Sequence, residues 1–282
     1  MADPAVPAAS GESAHLRGNY LPAIENVAQS IGTMAPVATI GTVLPLLIYK
    51  SANGTWLLVL AVLAVFCLIA SSITVFARRF ASAGSLSAYA GAGLGPWWGS
   101  LTGWSYGVAM VFVVASSGVS AAFYLAMVVS HFTHQPVGPL GMGLLSTGVV
   151  VLAWWPAHRD VMLSTKIMLV AEATTVLLIV FILGAAMLRS SLWVDPAQLE
   201  LRGAGFSQYQ LGFVLAFMAL SGFESVTTLG EEAKAATRTL PRVMALCVVP
   251  VGLLFVAGVY CLTALSHARS LALDQVDAPI DM

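Results

Sequence analysis

The chain has little charge. Only 9% of its 282 residues are Asp, Glu, Lys or Arg, while 59% are hydrophobic. Soluble domains usually carry ~25% charged residues. A water-facing surface on a chain of this size cannot be built from so few charges, so lipid must cover much of the outside. The formal net charge of −1 removes any bulk electrostatic case for a nucleic-acid partner. Cysteine is scarce too. Cys67, Cys247 and Cys261 all lie in apolar runs. Cys247 and Cys261 share a helical face but stand about 21 Å apart at helical rise, too far to bridge. All three read as packed thiols. Catalytic signatures are missing as well. There is no histidine pair with an acid at metal spacing inside an apolar run, no Gly-x-Ser-x-Gly elbow and no nucleotide-binding loop. The expectation is a protein that is not an enzyme. Residues 1–20, rich in Ala, Pro and Ser, lack the apolar core of a secretory signal and read as a disordered cytoplasmic leader.

What the chain has is long apolar runs. About twenty apolar residues cross the hydrocarbon core as a helix. Seven runs qualify: Ile24 to Tyr49, Trp56 to Phe76, Trp98 to Val129, Leu140 to Trp155, Val161 to Leu188, Leu211 to Leu229 and Val243 to Ser266. The expected organisation is a seven-span domain over 21–266 and a short extracytoplasmic tail over 267–282. Lys and Arg in the connections set orientation. With the N-terminus in the cytoplasm, Arg17, Arg78, Arg79, Arg159, Lys166, Lys234, Arg238 and Arg242 lie inside, and Lys50, Arg189, Arg202 and Arg269 outside. That bias favours a cytoplasmic N-terminus and an outer C-terminus. Trp97, Trp98, Trp154, Trp155 and Trp193 fall near span ends, as interfacial aromatics do.

Two spans carry polar interruptions. The first contains Gln29-Ser30-Ile31-Gly32-Thr33-Met34-Ala35-Pro36. Pro36 has no N–H and clashes with the carbonyl of Gly32, itself a poor helix former. The alternative is a simple proline kink satisfied by a neighbouring Ser or Thr. The sixth contains Leu220-Ser221-Gly222-Phe223-Glu224-Ser225. A carboxylate at the bilayer centre costs about 3 kcal/mol or more and normally faces a cavity or a partner. Glu224 is therefore a functional candidate, with a structural Glu bonded to a neighbouring helix as its alternative. Interruptions five spans apart suggest an inverted repeat, and interrupted helices in corresponding positions point to a solute site at the midplane. Helix starts offer N–H donors to a carboxylate, and helix ends offer carbonyls to an ammonium.

At these residues the sequence resembles the amino acid–polyamine–organocation (APC) permeases. The resemblance rests on Gly222-Phe223-Glu224, the acidic pair Glu231-Glu232, Lys234 and Arg238-Thr239-Leu240-Pro241-Arg242, supported by Ala83 to Tyr89, Gly95-Pro96 and Gly103-Trp104. It covers about Ile24 to Ser266. It implies an all-α membrane protein of inverted-repeat fold, with a five-span first repeat, the first two spans of the second, and discontinuous spans one and six. It further implies that backbone groups of Ser30, Gly32, Thr33, Met34, Ala219, Leu220, Ser221 and Gly222 hold the solute, and that Ala109, Met110 and Met218 face its side chain. The helix breaks are expected at Gly32, Pro36 and Gly222. Glu224 and Glu172 are candidates for proton coupling, Glu172 having a packing role near Lys166 as its alternative. The implied activity is secondary active transport of amino acids or related amines across the plasma membrane, by symport or antiport. No cofactor is expected beyond a coupling H+ or Na+. The second repeat ends early, so further spans are expected from a full-length chain. The rival readings are a non-transporting scaffold needing a partner chain and a seven-span receptor. A receptor would place its N-terminus outside, against the charge bias, and a scaffold has no use for the two polar breaks.

Overall fold

The computed structural model describes residues 21–80, 82–159, 161–190, 194–201 and 206–269. The leader over 1–20 and all of the tail beyond Arg269 lie outside the described residues. Among the described residues, seven helical stretches are long and apolar enough to cross a membrane: Ala23–Ser51, Thr55–Arg79, Pro96–Thr133, Pro139–Pro156, Lys166–Ser190, Tyr209–Leu229 and Ala236–Ala268. The chain is a multi-pass membrane protein.

Span one is interrupted. Helix α1 (Ala23–Met34) ends at Ala35, which takes the left-handed conformation with φ 42. Pro36 then opens α2 (Pro36–Ala38), and the helix continues through a π turn (Thr39–Val43) into α3 (Leu44–Ser51). A proline is favourable at a first helical position, where its missing N–H would be unpaired anyway. The break therefore falls at Ala35–Pro36, while Gly32 stays within α1. After a 3-10 turn (Ala52–Gly54), α4 (Thr55–Arg79) forms span two. Arg78 and Arg79 close its last turn, where cations suit the negative helix end. The short α5 (Ser85–Leu94) leads through Gly95, at φ 103, into the long α6 (Pro96–Thr133). Helices α7 (Pro139–Arg159) and α8 (Val161–Ser190) form spans four and five, and α9 (Pro196–Leu199) sits in the following connection.

Span six is interrupted as well. Helix α10 (Phe206–Leu220) stops two residues before Gly222, and a 3-10 segment (Phe223–Leu229) follows. Span seven is α11 (Ala236–Arg269). It starts earlier than the apolar run suggests and takes in Pro241, because the buried stripe of Val243, Met244 and Cys247 extends down to Leu240. It also takes in His267, expected in the tail.

The core lies between spans one, two, six and seven. Leu44, Leu47, Val62, Phe66, Leu220, Phe223, Met244 and Phe255 are all buried within it. Phe66 of α4 meets Phe217 and Phe223 edge to face, at 4.7 and 5.8 Å between ring centres, and so packs on both sides of the span-six break. Spans three, four and five form an arm whose α8 packs against α1 and α2. Two ties hold the ends of the bundle. At the end expected in the cytoplasm, Leu21 bridges Ala233: its N–H donates to Glu232 O at 3.0 Å, and its carbonyl accepts from the Lys234 N–H at 2.9 Å. At the other end, Asp195 accepts hydrogen bonds from the Ala197 N–H, Gln198 Nε2 and His267 Nδ1, the last at 2.6 Å. The Tyr260 hydroxyl accepts from the Asp195 N–H, and Trp56 Nε1 donates to Gln198 O. The connection after span five is thereby fastened to spans two and seven.

Candidate functional site

The two breaks touch. Gly222 sits at φ 113, in the region that favours glycine, and a methyl group there would lie 2.9 Å from the Thr33 carbonyl and 3.0 Å from the Met34 nitrogen. Both backbone conformation and space therefore demand glycine at this point. Two hydroxyls stitch the first half of span one to the second half of span six. Ser30 Oγ donates to Phe223 O at 3.0 Å, and Ser225 Oγ donates to Gln29 O at 3.4 Å. In an apolar surrounding each of these hydroxyls needs such a partner.

The start of each second half holds a carboxylate of the chain itself. In span one the Val37 N–H donates to Glu172 Oε1 of α8, at a long 3.4 Å. In span six the Gly222 N–H donates to Glu224 Oε2 at 2.9 Å. Both placements follow from the positive end of a helix attracting negative charge. Tyr124 of α6 donates to Gly41 O at 2.6 Å and so satisfies a carbonyl of the π turn.

The residues expected at the site fall into three groups. Ser30, Met34, Ala219, Leu220 and Gly222 are buried at the junction of the breaks. Ser30 spends its hydroxyl on Phe223, and Met34 O accepts from Thr39 Oγ1 at 3.2 Å. Gly32, Thr33 and Ser221 are half-buried beside them. Gly32 faces Met168 of α8, while the Thr33 and Ser221 hydroxyls bond back to Gln29 O and Phe217 O of their own helices. Ala109 and Met218 are exposed, Met218 at 66%, and Met110 is half-buried. Glu172 and Glu224, which the sequence offers as two separate acids, each stand at one break. Sequence reasoning missed Tyr124 and Ser225. Tyr124 carried one signal, since a phenol in an apolar span requires a polar partner.

An all-helical membrane protein whose first and sixth spans break and meet at the breaks has the architecture of an APC-type transporter. The profile of the amino acid permease family matches residues 26–280, and the chain belongs to that family. It is 28% identical over 223 residues to a protein described as an uncharacterized transporter in Mycobacterium bovis, and equally to counterparts in two strains of Mycobacterium tuberculosis. The match covers 77% of this chain and 46% of each relative, so the chain spans about half the length of the curated relatives it matches.

Proposed function

We propose that the protein is a secondary active transporter that moves amino acids or related amines across the plasma membrane, with its N-terminus in the cytoplasm. The observation that carries this reading is the contact of Gly222 with the Thr33–Met34 backbone, which sets two interrupted helices end to end inside a membrane protein. Transport is coupled to H+ or Na+, or runs as exchange, and Glu224 and Glu172 are the groups that would take the proton. The solute lies against the backbone of Ser30 to Met34 and Ala219 to Gly222, with Ala109, Met110 and Met218 toward its side chain. Because the relatives are about twice as long, the activity is tested on the full-length gene product. The protein is reconstituted in proteoliposomes, and uptake of labelled amino acids and amines is followed under imposed H+ and Na+ gradients. Gradient-dependent uptake is expected, abolished by Gly222→Val. Unaltered uptake in that variant would remove the site described above. Glu224→Gln is expected to flatten the pH profile of uptake, and an unchanged profile would end its coupling role.

A further inference from the structure

The tie at Asp195 joins a buried acid to a histidine that water can reach. Both carboxylate oxygens are used. The Ala197 N–H donates to Oδ1 at 3.1 Å, while Gln198 Nε2 and His267 Nδ1 donate to Oδ2 at 2.9 and 2.6 Å. Gln198 Nε2 also reaches Tyr260 O at 3.2 Å. The His267 side chain is 37% exposed against 4% for Asp195, so solvent at this end of the bundle can protonate the ring directly. Histidine is the side chain whose charge changes between about pH 5 and 8. Asp195 stays ionised across that range: burial pushes its carboxyl up, but the bonds from Gln198, His267 and Ala197 hold it below the ordinary carboxylate value. A neutral imidazole gives this carboxylate one hydrogen bond. A protonated one adds a full opposite charge, in surroundings that screen it little. The elements around the ring bring few other charges. Helix α8 carries Arg189 in its last turn, α9 ends at Glu200, α11 has Tyr260 and Arg269, and Lys50 at the end of α3 lies over the Tyr49 ring at 4.6 Å. Among the described residues, only Asp195 is within bonding distance of the imidazole. The tie also reaches beyond its own connection. Trp56 and Tyr260 fix it to spans two and seven, Met187 of α8 packs on Ala264 and Leu265 beside His267, and α10, the first half of interrupted span six, begins soon after the tied segment.

We propose that Asp195 and His267 form a pH-operated catch at the end of the bundle expected outside the cell. Protonation of His267 tightens the connection between spans five and six onto spans two and seven, and so restrains the first half of span six. The added strength is present where the imidazole is charged and the carboxylate ionised. It is lost as the pH rises through the histidine range, and lost again in acid strong enough to protonate Asp195. The catch lies apart from the junction of the breaks and acts whatever solute binds there.

The test follows amide hydrogen exchange over 194–199 in the purified full-length protein, at about pH 5.5 and about pH 8, with the intrinsic pH dependence of exchange divided out. The Asp195 and Ala197 N–H groups, which donate to Tyr260 and to Asp195, report opening of the tie. In the wild type their protection is expected to be about fivefold or more higher at the lower pH. In His267→Gln, which keeps a donor but cannot take the charge, it should change by less than about twofold. A flat wild-type profile, or a rise of the same size in His267→Gln, overturns the inference. Where His267→Gln does not fold, Asp195→Asn takes its place with the same expectation and the same reversal. In proteoliposomes, lowering the outer pH over this range should slow uptake by the wild type relative to His267→Gln by about threefold. A constant ratio overturns the regulatory role. Absence of uptake by both proteins strikes the transport reading instead, and hydrogen exchange still decides the catch.

Discussion

Spans five and six differ in a way that hydropathy alone would reverse. The apolar window of span five has a mean hydropathy of 2.5 and is 6% buried, whereas that of span six has 1.5 and is 50% buried. The less apolar span is the one packed inside protein. In a membrane the hydrocarbon accepts apolar side chains as readily as a protein interior does, so apolarity gives a helix no reason to be inside. Glycines, hydroxyls and carboxylates do supply one, because their backbones approach closely or their polar atoms need partners. Span six has Ser221, Gly222, Glu224, Ser225 and Thr227 in one stretch, and it lies against span one. Burial, not hydropathy, separates the bundle of spans one, two, six and seven, 28–50% buried, from the arm of spans three, four and five, 0–11% buried.

Three matched pairs of substitutions and one single change sharpen or break that contrast. The largest effect is expected at glycine. Gly222→Val puts a branched side chain at φ 113 against the Thr33 carbonyl, and the yield of folded protein should collapse. Gly148→Val in span four meets nothing within 4 Å and should leave folding intact. Size-exclusion profiles of the two variants decide it, and equal damage would mean that the arm is packed as tightly as the bundle. Next comes Phe255→Ala, which empties a fully buried position of span seven and should cost about 3–5 kcal/mol in denaturant unfolding. Phe181→Ala, 72% exposed on span five, should cost less than about 1 kcal/mol.

The third substitution lies where the arm joins the bundle. Burial pushes the Asp195 carboxyl up, but hydrogen bonds from Gln198, His267 and Ala197 outweigh this and hold it below the ordinary carboxylate value. Its contribution to stability is therefore complete above the ordinary carboxyl pKa, and it is lost as the pH falls through the lowered one. Asp195→Asn should lower the melting temperature at pH 7, and the gap to wild type should close only in strong acid. A gap independent of pH would show that the charge plays no part in the tie. The smallest effect is expected at Ser30→Ala, about 1 kcal/mol for the lost bond to Phe223 O. Ser116→Ala on α6, whose hydroxyl bonds only within its own exposed turn, should fall within about 0.5 kcal/mol of wild type.

Much of the architecture was legible in the sequence because the bilayer restricts the choices. Apolar runs of span length have to be helices, and Pro36 and Gly222 mark the two places where those helices could not continue unchanged. The residue that actually turns, Ala35, carried no mark of its own. Its left-handed conformation is one alanine tolerates poorly, at about 1–2 kcal/mol, and it follows from the proline after it. Glu172 was legible as an acid inside a span but not as the partner of Val37, a contact across 135 positions of chain. The Asp195 tie was hidden for a similar reason. Asp195, Tyr260 and His267 acquire meaning only when the connection after span five folds over the end of span seven.

The Leu21–Ala233 bridge also has a mechanical side. A chain pulled from its N-terminal end loads α1 through the backbone and, through the two Leu21 hydrogen bonds, the segment between spans six and seven. A fusion domain or surface tether attached upstream of Leu21 therefore tugs on both interrupted spans, whereas an attachment on the arm of spans three to five does not.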